Sequence, residues 1–255
     1  MLTNSIRDRL RDGEVAVGTF QILDSAMVSE MVGVAGMDFV VYDQEHGPLT
    51  AETTLDLSAA AQNAGVAPLV RVRDNTEAEI QRALDLGAAG VQVPQVETRA
   101  EAEAAVEVAR FDPIGSRGLS QYVRAGEYVG SDTYTEDQNE RTLLVVQVEG
   151  ERGVENIDEI LAVEGIDVVF LGPYDLSQSL GIPGQVTDDR VVELMNHVCE
   201  RAAEADVVVG AFADTPEVAN EWIEAGVQYI TLGVEVGLFT NHLASVTEQV
   251  NRSTE

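Results

Sequence analysis

The amino-acid sequence predicts a parallel (β/α)8 barrel on three observations: eight short apolar runs, longer amphipathic segments between them, and no glycine-rich dinucleotide fingerprint after any run. Strands that alternate with helices lie parallel, and eight is the number that closes on itself. A doubly wound open sheet is the competing architecture. It is disfavoured because the first run leads into Gln21-Ile22-Leu23-Asp24, with no G-x-G-x-x-G. At 255 residues the chain fits one barrel, expected to span 1–255 as a single catalytic domain.

In order, the runs read as strands over 15–20, 39–42, 68–72, 90–93, 143–148, 167–171, 207–212 and 228–232. Helical patterns fall over 51–63, 76–86, 99–109, 191–205, 216–225 and 236–250. Ala35-Gly36, Ala64-Gly65, Leu86-Gly87, Glu164-Gly165 and Ala225-Gly226 punctuate the boundaries, since glycine just past a helix is a stop signal. The stretch 117–141 breaks the alternation. Long, polar and rich in Tyr and Gly, it reads as an irregular insertion after a strand, with the character of a lid or an intersubunit loop.

Acidic residues outnumber basic ones 45 to 15, a formal net charge of −30. Such a surface repels nucleic-acid phosphates and anionic membranes, so neither is an expected partner. All 15 basic residues are arginine. Without lysine there is no Schiff-base catalysis, no covalently held pyridoxal and no P-loop. The same composition suggests a halophilic protein, because a carboxylate-rich surface stays hydrated where salt screens its self-repulsion. No apolar run approaches the roughly 20 residues that span a bilayer, and the expected location is the cytoplasm. The single cysteine, Cys199, excludes an intrachain disulfide and a cysteine-rich zinc site.

In a barrel of this kind the chemistry collects where the strands end. Asp43-Gln44-Glu45-His46-Gly47-Pro48 follows the second strand, Arg71 closes the third, Gln147-Val148-Glu149 the fifth and Gly172-Pro173-Tyr174-Asp175 the sixth. The opposite ends carry little but Gly, Ala and Val. His46 is a candidate general base, the alternative being a satisfied turn histidine. Glu149 and Asp175 come from neighbouring strands about 4.8 Å apart, and two carboxylates that close call for a cation between them. The alternative has Glu149 paired with an arginine and Asp175 capping a short helix from Leu176. Arg71 offers a permanent charge and a fork of donors for a carboxylate or an enolate oxygen, or else a structural ion pair.

These segments, together with Leu69-Val70-Arg71-Val72, Pro113-Ile114-Gly115-Ser116-Arg117-Gly118 and Phe170-Leu171-Gly172-Pro173-Tyr174-Asp175-Leu176-Ser177, resemble the HpcH/HpaI aldolase family nearly end to end. Its members are class II aldolases of 4-hydroxy-2-oxo acids in the phosphoenolpyruvate/pyruvate-binding barrel group. The resemblance implies His46 as base, Arg71 as the enolate-stabilising arginine, and Glu149 and Asp175 as ligands of a divalent metal ion (Mg2+, Mn2+ or Co2+). It implies Gln147 as a substrate or supporting contact, and the backbone at Gly172 and Pro173 as the holder of the pyruvyl carboxylate. Asp43 matches an aspartate near the base, and Asp85 one that orients the histidine across a subunit contact. A homo-oligomer, trimer or hexamer, is implied, with the last helix exchanged between subunits. Asp112, in place of a second proline, and the acidic stretch 127–140 depart from the family pattern.

The expected reaction cleaves or forms the C3–C4 bond of a 4-hydroxy-2-oxo acid, giving pyruvate and an aldehyde. One rival is a lyase of acyl-CoA thioesters, of the malyl-CoA or citryl-CoA type, with Arg117 and Arg124 as the candidate patch for the CoA phosphates. The other is a non-catalytic barrel that binds a keto acid.

Overall fold

The computed structural model describes residues 5–250; the outermost residues of the expected 1–255 domain, 1–4 and 251–255, lie outside the described part. Eight strands close into a barrel in chain order, each parallel to its neighbours: β1 (Ala16–Gln21), β2 (Phe39–Asp43), β3 (Ala67–Arg71), β4 (Gly90–Val93), β5 (Leu143–Val148), β6 (Val168–Leu171), β7 (Val208–Ala213) and β8 (Tyr229–Val234). The helices Ala51–Asn63, Glu77–Asp85, Arg99–Ala109, Asp189–Glu204, Pro216–Glu224 and Glu235–Glu248 lie within two residues of the expected bounds at either end. Gly65 (φ +80°) and Gly226 (φ +101°) end helices in the left-handed conformation that glycine adopts without strain.

The period-2 alternation of the strands sorts their side chains into two cores. Val40, Tyr42, Val70, Val91, Val146 and Val169 face outward and pack against the helices through residues such as Leu57, Ile80 and Ala102. Phe39, Val41, Leu69, Leu143, Val145, Val168, Phe170 and Tyr229 fill the barrel. Phe39 stacks on Tyr229 with centroids 4.3 Å apart, and a Cβ on Gly18 would stand 2.3 Å from the Phe39 ring, so that approach requires glycine.

The charged N-terminal segment proves to be structural. A helix at Ile6–Arg11, begun by a Ser5/Asp8 capping box, inserts Ile6 and Leu10 into the inner core and plugs the end of the barrel where the strands begin. Arg7 Nε at 2.6 Å and Arg110 Nη2 at 2.5 Å both reach Asp167 and pin the plug. Cys199 is buried, and burial pushes its thiol up to about 11, which suits a packing role.

The expected lid is corrected. The stretch 117–141 follows the helix Arg99–Ala109 and precedes β5, so it enters on the face where strands start, away from the chemistry. It is also partly ordered, with a 3-10 turn at Arg124–Gly126 and a helix at Tyr134–Arg141. Among the described residues no helix is long and apolar enough to cross a membrane.

Candidate active site

The alternation that buries Phe39 and Val41 inside the barrel carries the next inward position, Asp43, to its mouth. By the same rule Leu69 leads to Arg71, and Val145 to Gln147 and Glu149. Asp43 (side chain 5% exposed) binds Arg71 in a fork, Nε to Oδ1 at 3.0 Å and Nη2 to Oδ2 at 2.6 Å. Its Oδ1 also accepts the backbone N–H groups of Glu45 at 3.0 Å and His46 at 3.1 Å. One carboxylate thus fixes both the arginine and the turn that presents the histidine. The guanidinium also lies over the Phe20 ring, 4.7 Å from its centroid.

His46 stands free on this turn, its side chain 71% exposed, with Nε2 3.9 Å from Glu45 Oε2. Glu45, present in the D-Q-E-H run but assigned no role from sequence, is drawn inward to 11% exposure. Its Oε2 sits 3.2 Å from Arg71 Nη1. Burial raises its pKa, Arg71 and His46 act against that, and Asp43 and Asp175 add to it.

Gln147 donates to Glu149 Oε2 and accepts from Gln92 Nε2 at 2.8 Å, while the Gln95 backbone N–H donates to Glu149 Oε1 at 2.9 Å. Gln95 holds φ +55°, left-handed for a residue with a side chain, and so aims its N–H into the site. No arginine pairs with Glu149 among the described residues, and the helix expected from Leu176 begins at Pro173 instead, with Gly172 as N-cap. Asp175 therefore lies inside the first turn, caps nothing, and is exposed. A Cβ on Gly172 would stand 3.3 Å from Asp175 Oδ2 and 3.6 Å from Glu149 Oε2, so both carboxylates border one point that glycine leaves open. Burial first, then the charges of Asp175 and Glu45, push Glu149 up to about 7.

Asp85 is not brought to His46 within the chain. It ends the helix Glu77–Asp85 at the opposite face and pairs with the fully buried Arg117 at 2.7 Å. Arg124 bonds Leu86 O and Gln62 on that same face. Neither arginine proposed for CoA phosphates is at the mouth. His197 and His242 are exposed on helices. Among the described residues no group of three or more His, Cys, Asp or Glu side chains forms a metal cluster; the mouth offers a carboxylate pair.

A family model described as HpcH/HpaI aldolase/citrate lyase matches residues 17–242. The 5-keto-4-deoxy-D-glucarate aldolases of Shigella boydii serotype 18 and Escherichia coli O6:H1 are each 34% identical over 236 residues, 92% of this chain and 92% of theirs. Among solved structures, an HpcH/HpaI aldolase/citrate lyase family protein from Burkholderia cenocepacia J2315 superposes with a TM-score of 0.93 at 34% identity, covering 98% of this chain and 100% of that one. The citrate synthase SbnG does so with a TM-score of 0.87 at 34% identity over 96% of each chain.

Proposed function

The chain belongs to the HpcH/HpaI aldolase/citrate lyase family and is a carbon–carbon lyase of the aldolase type, and from that premise we propose that Glu149 and Asp175 hold a divalent cation beside a pyruvate-like enolate. One observation carries the reading: two carboxylates border the same open point at Gly172, on the rim that also bears Arg71, Glu45 and His46. Their chemistry fits a hard cation. Oxygen-only donors suit Mg2+, Mn2+ or Co2+, and such ions commonly take one or two protein carboxylates. Burial, and after it the charges of Asp175 and Glu45, raise the pKa of Glu149, and a bound cation would offset both. When bound, the ion supplies positive charge to the carboxylate and keto oxygens of a 2-oxo acid.

The remaining steps belong to the chain's own side chains. His46 accepts the proton of the substrate's 4-hydroxyl; the C3–C4 bond breaks as the aldehyde C=O forms, and the electron pair passes into pyruvate enolate. Arg71, held by Asp43 through Nε and Nη2 and by Glu45 at Nη1, keeps its charge fixed at the rim for the oxygen that gains charge, where a preorganised donor is most effective. Protonation of the enolate at C3 completes pyruvate. Gln147 and the Gln95 N–H hold Glu149 in place. Pro173 has no N–H, so a pyruvyl carboxylate at this turn is received by neighbouring backbone donors.

Four further readings belong with this one. The domain is the whole chain, its location is cytoplasmic, and its acidic, lysine-free surface is an adaptation to high salt. The working form is a trimer or hexamer in which Asp85 acts across a subunit contact. The last helix supports an oligomer: its side chains from residue 239 onward are exposed, apolar Phe239, Leu243 and Val246 among them. The test is pyruvate release from a panel of 4-hydroxy-2-oxo acids, read by coupled lactate dehydrogenase. EDTA is expected to abolish release and Mg2+, Mn2+ or Co2+ to restore it, without CoA; undiminished turnover in chelator rejects the reading.

A further inference from the structure

The mouth of the barrel carries a pair of side chains that none of the roles above uses. Tyr174, 44% exposed and placed between Pro173 and Asp175, donates its phenol proton to Asp214 Oδ2 at 2.6 Å. Asp214 follows β7 directly and is exposed. The Tyr174 ring stands edge-on to Phe212 with centroids 6.0 Å apart, and Phe212 is tilted against Phe20 at 6.2 Å. Phe20 is the ring beneath the Arg71 guanidinium. A continuous row therefore crosses the mouth from the enolate-stabilising arginine to the phenol. Behind it, Phe212 and Asp214 also border a cleft of about 230 Å3 whose other polar walls are Glu221, Thr187 and Asn196, with no arginine.

We propose that Tyr174 and Asp214 form the subsite for the aldehyde half of the substrate, and that they select a neutral, hydroxylated aldehyde over one that carries a carboxylate. The inference rests on the aldolase reading above. Its chemistry lies in the direction of the hydrogen bond. The phenol proton is committed to Asp214 Oδ2 at 2.6 Å, so the phenol turns its lone pairs, not its proton, toward an incoming group. The phenol oxygen keeps its lone pairs and Asp214 keeps a second carboxylate oxygen. Both are acceptors, and paired acceptors recognise O–H donors.

Charge supplies the other half of the selection. Asp214 pairs with no arginine among the described residues and presents its charge at the phenol end of the row, whereas Arg71 at the other end is already engaged by Asp43 and Glu45. The aromatic row gives the carbon skeleton an apolar wall. An aldehyde half with its own acid group, such as a glucarate would leave, is thus disfavoured, and in this respect the chain departs from the substrate its relatives are named for.

The test compares kcat/KM for addition of pyruvate to D-glyceraldehyde, propionaldehyde and glyoxylate, with Mg2+ present. The full chain, Tyr174→Phe and Asp214→Asn are measured side by side. The unmodified chain is expected to favour glyceraldehyde over each of the others by roughly tenfold, near the upper worth of one neutral hydrogen bond. Tyr174→Phe brings the glyceraldehyde-to-propionaldehyde ratio toward one, and Asp214→Asn raises the glyoxylate-to-propionaldehyde ratio. Ratios within one preparation cancel any loss of folded enzyme. A preference of the unmodified chain for glyoxylate, or ratios unmoved in both variants, overturns the proposal. Deuterium uptake into the pyruvate methyl group in D2O needs no aldehyde and separates the two failures. Exchange with unmoved ratios refutes the acceptor subsite alone; absence of exchange refutes the aldolase reading and the subsite together.

Discussion

Asp43 shows how much one side chain can organise. Its two oxygens hold the Arg71 fork and two backbone N–H groups of the His46 turn, which leaves the imidazole exposed at the mouth. His46→Ala is expected to lower kcat by roughly 10²- to 10⁴-fold, the usual worth of a general base, and near-normal turnover would reassign the proton transfer. Glu149 yields a second expectation, with opposite signs for stability and activity. Its folded pKa, about 7, lies above the ordinary carboxylate value of 4.5, so the unfolded chain loses this proton first. Stability of the metal-free protein therefore falls as pH rises through that window. Glu149→Gln removes the loss: in chelator the variant should be more stable than the unmodified protein at pH 8, by on the order of 1–3 kcal/mol, with the gap narrowing as pH falls and closing below 4.5. Pyruvate release should be lost. Calorimetry at both pH values decides it, and a gap independent of pH would assign the change to packing instead.

At the scale of elements, a single rule delivers most of the site. Residues i, i+2 and i+4 of a strand share a face, so the inward rows of β2, β3 and β5 run from apolar core straight into Asp43, Arg71, Gln147 and Glu149. This made those residues legible from the sequence. Gln95 was not legible, because its part depends on a left-handed backbone turn and a donated N–H. Glu45 was visible as an ionisable residue, but its inward direction comes from the Asp43 turn. The helix Glu235–Glu248 carries the clearest expectation at this scale. If the proposed oligomer forms through this helix, Phe239→Asp with Val246→Asp, both on its exposed side, should reduce it to smaller species in light scattering while circular dichroism stays unchanged. An unaltered mass would remove this helix from any subunit contact.

For the whole molecule, the proposed adaptation to salt ties the barrel's persistence to ionic strength. With 45 acidic and 15 basic residues, like charges repel across the surface at low ionic strength. The Debye length shrinks from roughly 10 Å at 0.1 M salt to about 3 Å at 1 M. Melting temperature and aldol turnover should both rise as KCl increases over this range. A flat response in both would count against adaptation to salt.

What the sequence determined alone was periodic or compositional: the eight strands, six of the helices that accompany them, the rim residues at the strand ends, and the exclusion of lysine chemistry. Each follows from local order, because side-chain direction in a strand repeats every two residues and an absent residue type is absent in any fold. Tertiary structure decided what depends on which segments meet. It converted the polar N-terminus into a plug through Ile6, Leu10 and Asp167, and moved the long insertion to the face opposite the chemistry. It also joined Tyr174 to Asp214 across 40 residues of chain. Closure of a barrel brings together residues distant in sequence, and no local pattern encodes that distance.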